Sequence, residues 1–165
     1  MSVIKKVTKV IDNINIFVGK IGAWSIVVLM LLIVFEVVSR KIFNSPTIWT
    51  YETITMLFGF HFMIVAAYAL VYKSLVNVDV LYERMSPKVQ AVLDIITYLF
   101  IFFPFIILVL LFSFEEARHS WAVKESSSSL FGAPVYLTKT VIPITFTMLG
   151  LQGISEILKR ILRLV

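Results

Sequence analysis

Four apolar runs, at about 21–38, 49–71, 89–114 and 134–158, take up most of this 165-residue chain and restrict its fold more than any motif does. Each is close to or beyond the roughly 20 helical residues that cross a hydrocarbon layer about 30 Å thick. Hydrophobic residues make up 59% of the chain and charged residues 15%, against about 25% charged in soluble domains. Too little polar side chain remains to coat a soluble globule, which excludes a soluble enzyme, and the four runs leave no room for a separate catalytic domain. The chain has no Cys, which removes disulfide frameworks, thiolate metal sites and Cys nucleophiles together. The expectation is a single all-α integral membrane domain over residues 1–165, with four transmembrane helices.

The connections set the boundaries. Asn44-Ser45-Pro46 marks a turn between the first two spans, because Pro46 cannot continue a helix arriving from upstream. Ser86-Pro87 reads as an N-cap followed by a first-turn proline, opening the third span. Residues 115–132 form the longest polar segment and contain the run Ser126 to Ser129. Pro104 and Pro143 fall inside spans and predict modest kinks. Ahead of the first span, Val3, Ile4, Val7, Val10, Ile11, Ile14, Phe17 and Val18 recur at three and four, with Lys5, Lys6, Lys9, Asp12 and Asn13 between them. That spacing predicts an N-terminal amphipathic interfacial helix over 3–18. Asp12 and Asn13 interrupt the apolar core a secretory signal needs, so the helix is expected to be retained.

Ten of the fifteen Lys and Arg residues fall on the side of the two termini and the 73–88 connection, and five on the side of the other two connections. The positive-inside rule then puts both termini in the cytoplasm and places Trp49 and Trp121 at the outer interface. The formal net charge of +5 comes from bases grouped beside apolar runs, a pattern that suits membrane lipid and not nucleic acid.

Few side chains could carry chemistry. Glu36 has Arg40 one turn later, which predicts a local ion pair near the outer end of the first span. Glu52 opens the second span and is expected to pair with Arg40 or Lys41 across the outer connection, or with another chain. His61 is the one deep ionisable side chain, about 15 Å from either interface. A haem would need a second histidine at matching depth, and His119 falls in an outer segment, so a hydrogen bond to a neighbouring helix is expected instead. Asp79 and Asp94 are expected to pair with Lys88, Arg84 or a partner protein. Carboxylates tens of residues apart lack the spacing of a metal site, and no glycine-rich phosphate loop appears. Catalytic, substrate-binding and metal residues are therefore expected to be absent, and no cofactor is expected.

Arg40, Trp49-Thr50-Tyr51-Glu52, Met56-Leu57-Phe58-Gly59 and Ala67-Tyr68-Ala69-Leu70 follow one another in an order and spacing that resemble the small membrane (Q) subunit of tripartite ATP-independent periplasmic (TRAP) transporters. The resemblance continues through Val78-Asp79-Val80-Leu81-Tyr82-Glu83-Arg84, Phe103-Pro104-Phe105, Ser120-Trp121, Glu125-Ser126-Ser127, Ile142-Pro143 and Leu151-Gln152-Gly153. It covers about residues 30–158 and looks closest to the mannitol/chloroaromatic branch. One departure is Leu75-Val76-Asn77-Val78-Asp79, where the family reads His-Val-Arg-Val-Asp; the two basic residues are lost and Asp79 stays. The resemblance implies a non-enzymatic scaffold in a bacterial inner membrane, bound to a large membrane (M) subunit that carries the substrate and sodium sites. It also implies a periplasmic substrate-binding (P) protein, for which Trp121 and Glu125 are contact candidates. An autonomous four-span proton-coupled exporter using Glu36, and a non-transport membrane anchor, are the alternative readings.

Overall fold

A computed structural model describes residues 2–72, 74, 82 and 85–164. The described residues form helices α1 (Ser2–Ala23), α2 (Ser25–Lys41), α3 (Ile48–Val71), α4 (Pro87–Thr97), α5 (Phe103–Ala122) and α6 (Val135–Leu164), with a π-helical turn, Tyr98–Phe102, joining α4 to α5. Four continuous stretches are long and apolar enough to cross a membrane: Val3–Lys41, Ile48–Val71, Pro87–Ala122 and Val135–Leu162. The chain is a multi-pass membrane protein.

The breaks have local causes. The first helix continues past residue 18 and is interrupted only at Trp24, where Trp24 N–H bonds to Ile21 C=O and Val27 N–H to Trp24 C=O, three residues back in each case. Ser25 Oγ donates to Gly22 C=O at 2.6 Å and draws that carbonyl away from the helical ladder. After α2 the chain reverses through Asn44, whose φ of 49° lies in the left-handed region that asparagine tolerates. Ser86 is the N-cap residue of α4 and Pro87 opens its first turn, as expected, but the Ser86 side chain makes no cap hydrogen bond. Gln90 reaches back instead, and its Nε2 donates to Tyr82 C=O and Met85 C=O. Pro104 has no N–H, and its ring would crowd the carbonyl four residues earlier, at Phe100. The wider π turn just before it relieves both conflicts. Helix α5 runs eight residues beyond the expected end at 114, because Glu115 and Glu116 are strong helix formers and leave the apolar zone without breaking the ladder.

The helices lie in a row. Helix α3 packs against α2 on one side and α6 on the other, α6 packs against α5 and α4, and α1 crosses the row against α3 and α6. The order of spans is therefore first, second, fourth, third. In the most apolar 18-residue window of each span, 33% of the fourth is buried and 6% of the third, which makes α6 the hub. Close backbone approach holds the row together: a Cβ on Gly19 would collide with Tyr68, one on Gly22 with Ile64, and one on Gly153 with the Phe102 ring. A row backed only by α1 buries little. Its accessible surface is 11293 Å², where a compact 18.8 kDa chain would expose about 8,300 Å².

Candidate partner-contact site

The row has two ends, a loop end carrying residues 42–47 and 123–134 and a terminal end carrying residue 2, residue 164 and the start of α4. Six of the residues singled out from the sequence gather at the loop end. Glu36 Oε1 accepts from Arg40 Nη2 at 2.7 Å and from Arg40 Nε at 3.2 Å. Its other oxygen accepts from Thr47, whose hydroxyl also meets that of Thr50. The Glu36 carboxylate thus ties α2 to the start of α3, with Phe35 and Trp49 in ring contact beside it at 5.9 Å.

Glu52 pairs with neither Arg40 nor Lys41. Its carboxylate accepts from Ser127 Oγ at 3.1 Å and from the buried Ala133 N–H at 3.2 Å, pinning the 123–134 loop to α3. The loop turned inward because a backbone N–H at the end of the serine segment lacked a ladder partner, and a carboxylate is the strongest acceptor in reach. Its form is set by Lys124 and Gly132, both at positive φ, and by Ser127 N–H bonding to Ala133 C=O at 2.8 Å. Leu130, 93% exposed, and Phe131 stand at its tip.

Lys139, one turn into α6, reaches Glu125 at 2.7 Å and Glu116 at 3.3 Å. The hydrogen bond from Lys139 holds the Glu125 carboxyl below its ordinary value of 4.5. Trp121 donates its indole N–H to Thr140 Oγ1 at 2.7 Å and stacks near Tyr136, joining α5 to α6.

His61 lies midway along α3, where its Nδ1 is 2.9 Å from Ser25 Oγ and 3.3 Å from Gly22 C=O. It thus faces the Trp24 break, linking α3 to the junction of α1 and α2. Asp79 lies outside the described residues. Asp94 pairs with Arg160 of α6 at 2.8 Å and accepts from Tyr82 at 2.7 Å, not with Lys88; Arg84 lies outside the described residues.

Sequence reasoning missed a clasp at the terminal end. Asp12 of α1 accepts from Gln152 Nε2, Ser155 Oγ and Lys159 Nζ, each at 2.9 Å, and its second oxygen is 2.7 Å from Lys159. Asn15 Nδ2 donates to Gln152 Oε1 at 2.7 Å, and Lys159 also reaches Glu156 at 2.7 Å. Gln152, Ser155, Glu156 and Lys159 are spaced at three, four and seven, one polar stripe on the last span. That stripe was the available signal, since polar residues on one face of an apolar helix need partners.

Among the described residues no three His, Asp or Glu side chains gather in a way that could hold a metal ion. What the geometry defines is a membrane subunit: a row of spans crossed by α1, with buried and interfacial carboxylates that fasten its elements to each other. The chain belongs to the DctQ component family of tripartite ATP-independent periplasmic transporters, whose family model matches residues 29–163. It is accordingly a small transporter component and not an enzyme. A search of curated proteins finds no match.

Proposed function

We propose that this chain braces the large membrane subunit of a TRAP transporter in a bacterial inner membrane, with both termini cytoplasmic. The large subunit carries sodium-coupled import of an organic acid or related solute, delivered by a periplasmic binding protein, in a system of the mannitol/chloroaromatic type. The observation that carries this reading is the open row of spans, backed only by α1. It exposes about 3,000 Å² more than a compact soluble chain of this mass, which leaves broad apolar faces open to lipid or to a partner subunit. The Glu52, Glu125–Lys139, Asp94–Arg160 and Asp12–Lys159 contacts fasten elements to one another, which suits a rigid brace better than a moving carrier. Sodium and a carboxylate are best held by broken helices and converging oxygens, and the deep part of this row offers His61 bonded to Ser25.

Co-expression with a neighbouring large permease and binding protein tests the proposal. Purification through a tag on this chain should bring down the large subunit, and sodium-driven uptake in liposomes should collapse when this chain is left out. Uptake by this chain alone, or full uptake without it, overturns the proposal.

A further inference from the structure

Two apolar grooves flank the contact of α5 with α6. One, of about 440 Å³, lies between Phe114 and Trp121 on α5 and Pro143, Ile144 and Met148 on α6, with Arg118 at its mouth. The other, of about 530 Å³, is lined by Phe105, Phe112 and Ile142 and headed by Lys139. Both are of ligand size, and both run down from the loop end. At 1.5 Å per residue, the stretch of α6 from Thr140 to Met148 gives the first groove a length of about 12 Å.

The cations at the two mouths differ. Lys139 is already neutralised by Glu125 at 2.7 Å and Glu116 at 3.3 Å. Arg118 makes no ion pair or hydrogen bond with any described residue, and its guanidinium is exposed on the last turn but one of α5. Beside it, the Trp121 indole is fixed by its bond to Thr140 with half its surface still exposed. An amphipathic ring and an unpaired guanidinium within one helical turn of each other, both lining an apolar trough, match the headgroup boundary and first acyl carbons of a lipid.

We infer that the groove headed by Arg118 holds one acyl chain of an anionic phospholipid from the leaflet at the loop end, with the lipid phosphodiester on the Arg118 guanidinium. The guanidinium fork matches phosphate oxygens in geometry. A protein helix is a poorer occupant, because a second helix would cover the guanidinium with apolar surface and leave it unpaired. Charge decides between the grooves: the wider one, with its cation already spent, has no selectivity for an anionic lipid. The inference rests on the membrane placement of the chain and not on its proposed role in transport.

Trp121 serves as the reporter. In the full chain carrying Trp24→Phe and Trp49→Phe, reconstituted in phosphatidylcholine nanodiscs, its fluorescence is titrated with acyl-brominated phosphatidylglycerol or acyl-brominated phosphatidylcholine. The expected result is saturable quenching with about fivefold preference for phosphatidylglycerol, lost in Arg118→Gln, partly retained in Arg118→Lys and unchanged in Lys139→Gln. Equal quenching by the two lipids, or a preference that survives Arg118→Gln, reduces the groove to ordinary annular contact and overturns the inference. A preference lost in Lys139→Gln overturns it in favour of the other groove. Quenching that disappears as protein is raised against lipid shows a second copy covering the groove, and also overturns it.

Discussion

Asn15 and Gln152, 137 positions apart in the chain, share a 2.7 Å amide hydrogen bond within the seam of α1 and α6. Asn15 is 2% exposed and Gln152 not at all, so neither can exchange this partner for water. The first and last helices are therefore held in one register by groups that lose heavily if separated.

Gln152→Leu leaves the Asn15 amide N–H groups unpaired and takes one donor from Asp12. We expect a loss of about 1–3 kcal/mol, read as a fall in the thermal or denaturant midpoint of the purified protein. Asn15→Leu combined with Gln152→Leu should cost less than the sum of the two changes, since the second removes the group the first strands. A strictly additive double variant would show that the two amides do not depend on each other.

The crossing of α1 over α3 makes a sharper demand. Gly19→Ala must push against Tyr68 at its Cβ, an atom that cannot swing aside, so α1 and α3 have to separate. Overpacking of this kind costs about 1–3 kcal/mol. Gly59→Ala is the control: a Cβ there meets nothing within 4 Å, and the change should be neutral or stabilise by about 0.5–1 kcal/mol through helix propensity. Equal effects at the two glycines would remove the close approach as an explanation.

Glu52→Ala should free the 123–134 loop while leaving the helices in place, because the carboxylate is the only side chain bonded to the Ala133 amide. Hydrogen exchange of the peptide covering 123–134 should speed up by about tenfold or more, with protection in α3 and α6 unchanged. An unchanged loop would mean that Ser127 N–H to Ala133 C=O suffices to hold it.

The Glu125–Lys139 pair sets a pH dependence at the same end. The carboxyl is held below its ordinary 4.5 by the Lys139 hydrogen bond. A group with a depressed folded-state value contributes fully above the ordinary value and loses its contribution as the pH falls through the depressed one. A spin label on a single Cys placed at Ser128, in a chain with no other Cys, should report an ordered loop at pH 5 that loosens only as the pH falls below the ordinary carboxyl value of 4.5. In Glu125→Gln, which breaks the pair with Lys139, the loop should already be looser at pH 5 than in the parent chain. A transition centred above pH 5 would have to come from another group.

Four spans were legible because hydropathy alone identifies segments of this length, and the i, i+4 spacing of Glu36 and Arg40 was enough to bring those two together. Glu52 was misassigned for a plain reason: Arg40 and Lys41 are near it in sequence, whereas Ala133, the N–H it serves, is 81 positions away and offers no charge to notice. Polar residues in α1 suggested an amphipathic helix over 3–18; the helix runs unbroken to Ala23, and its Asp12 and Asn15 face a stripe of polar residues on α6 that the spacing within α1 alone did not announce. Order within the row was beyond reach, since every span offers apolar faces and the choice between neighbours is made by small residues such as Gly19, Gly22 and Gly153.

The clasp also has a consequence for biogenesis. Asp12 and Asn15 are made well before their partners Gln152, Ser155 and Lys159, with three spans in between. Until the final span is complete, the polar side of α1 has no partners and cannot settle among hydrocarbon. The amino-terminal helix must wait at the headgroups while the three later spans are laid in, and a nascent chain halted before residue 152 leaves it undocked. The clasp thus closes only after every span that separates its two halves has been made.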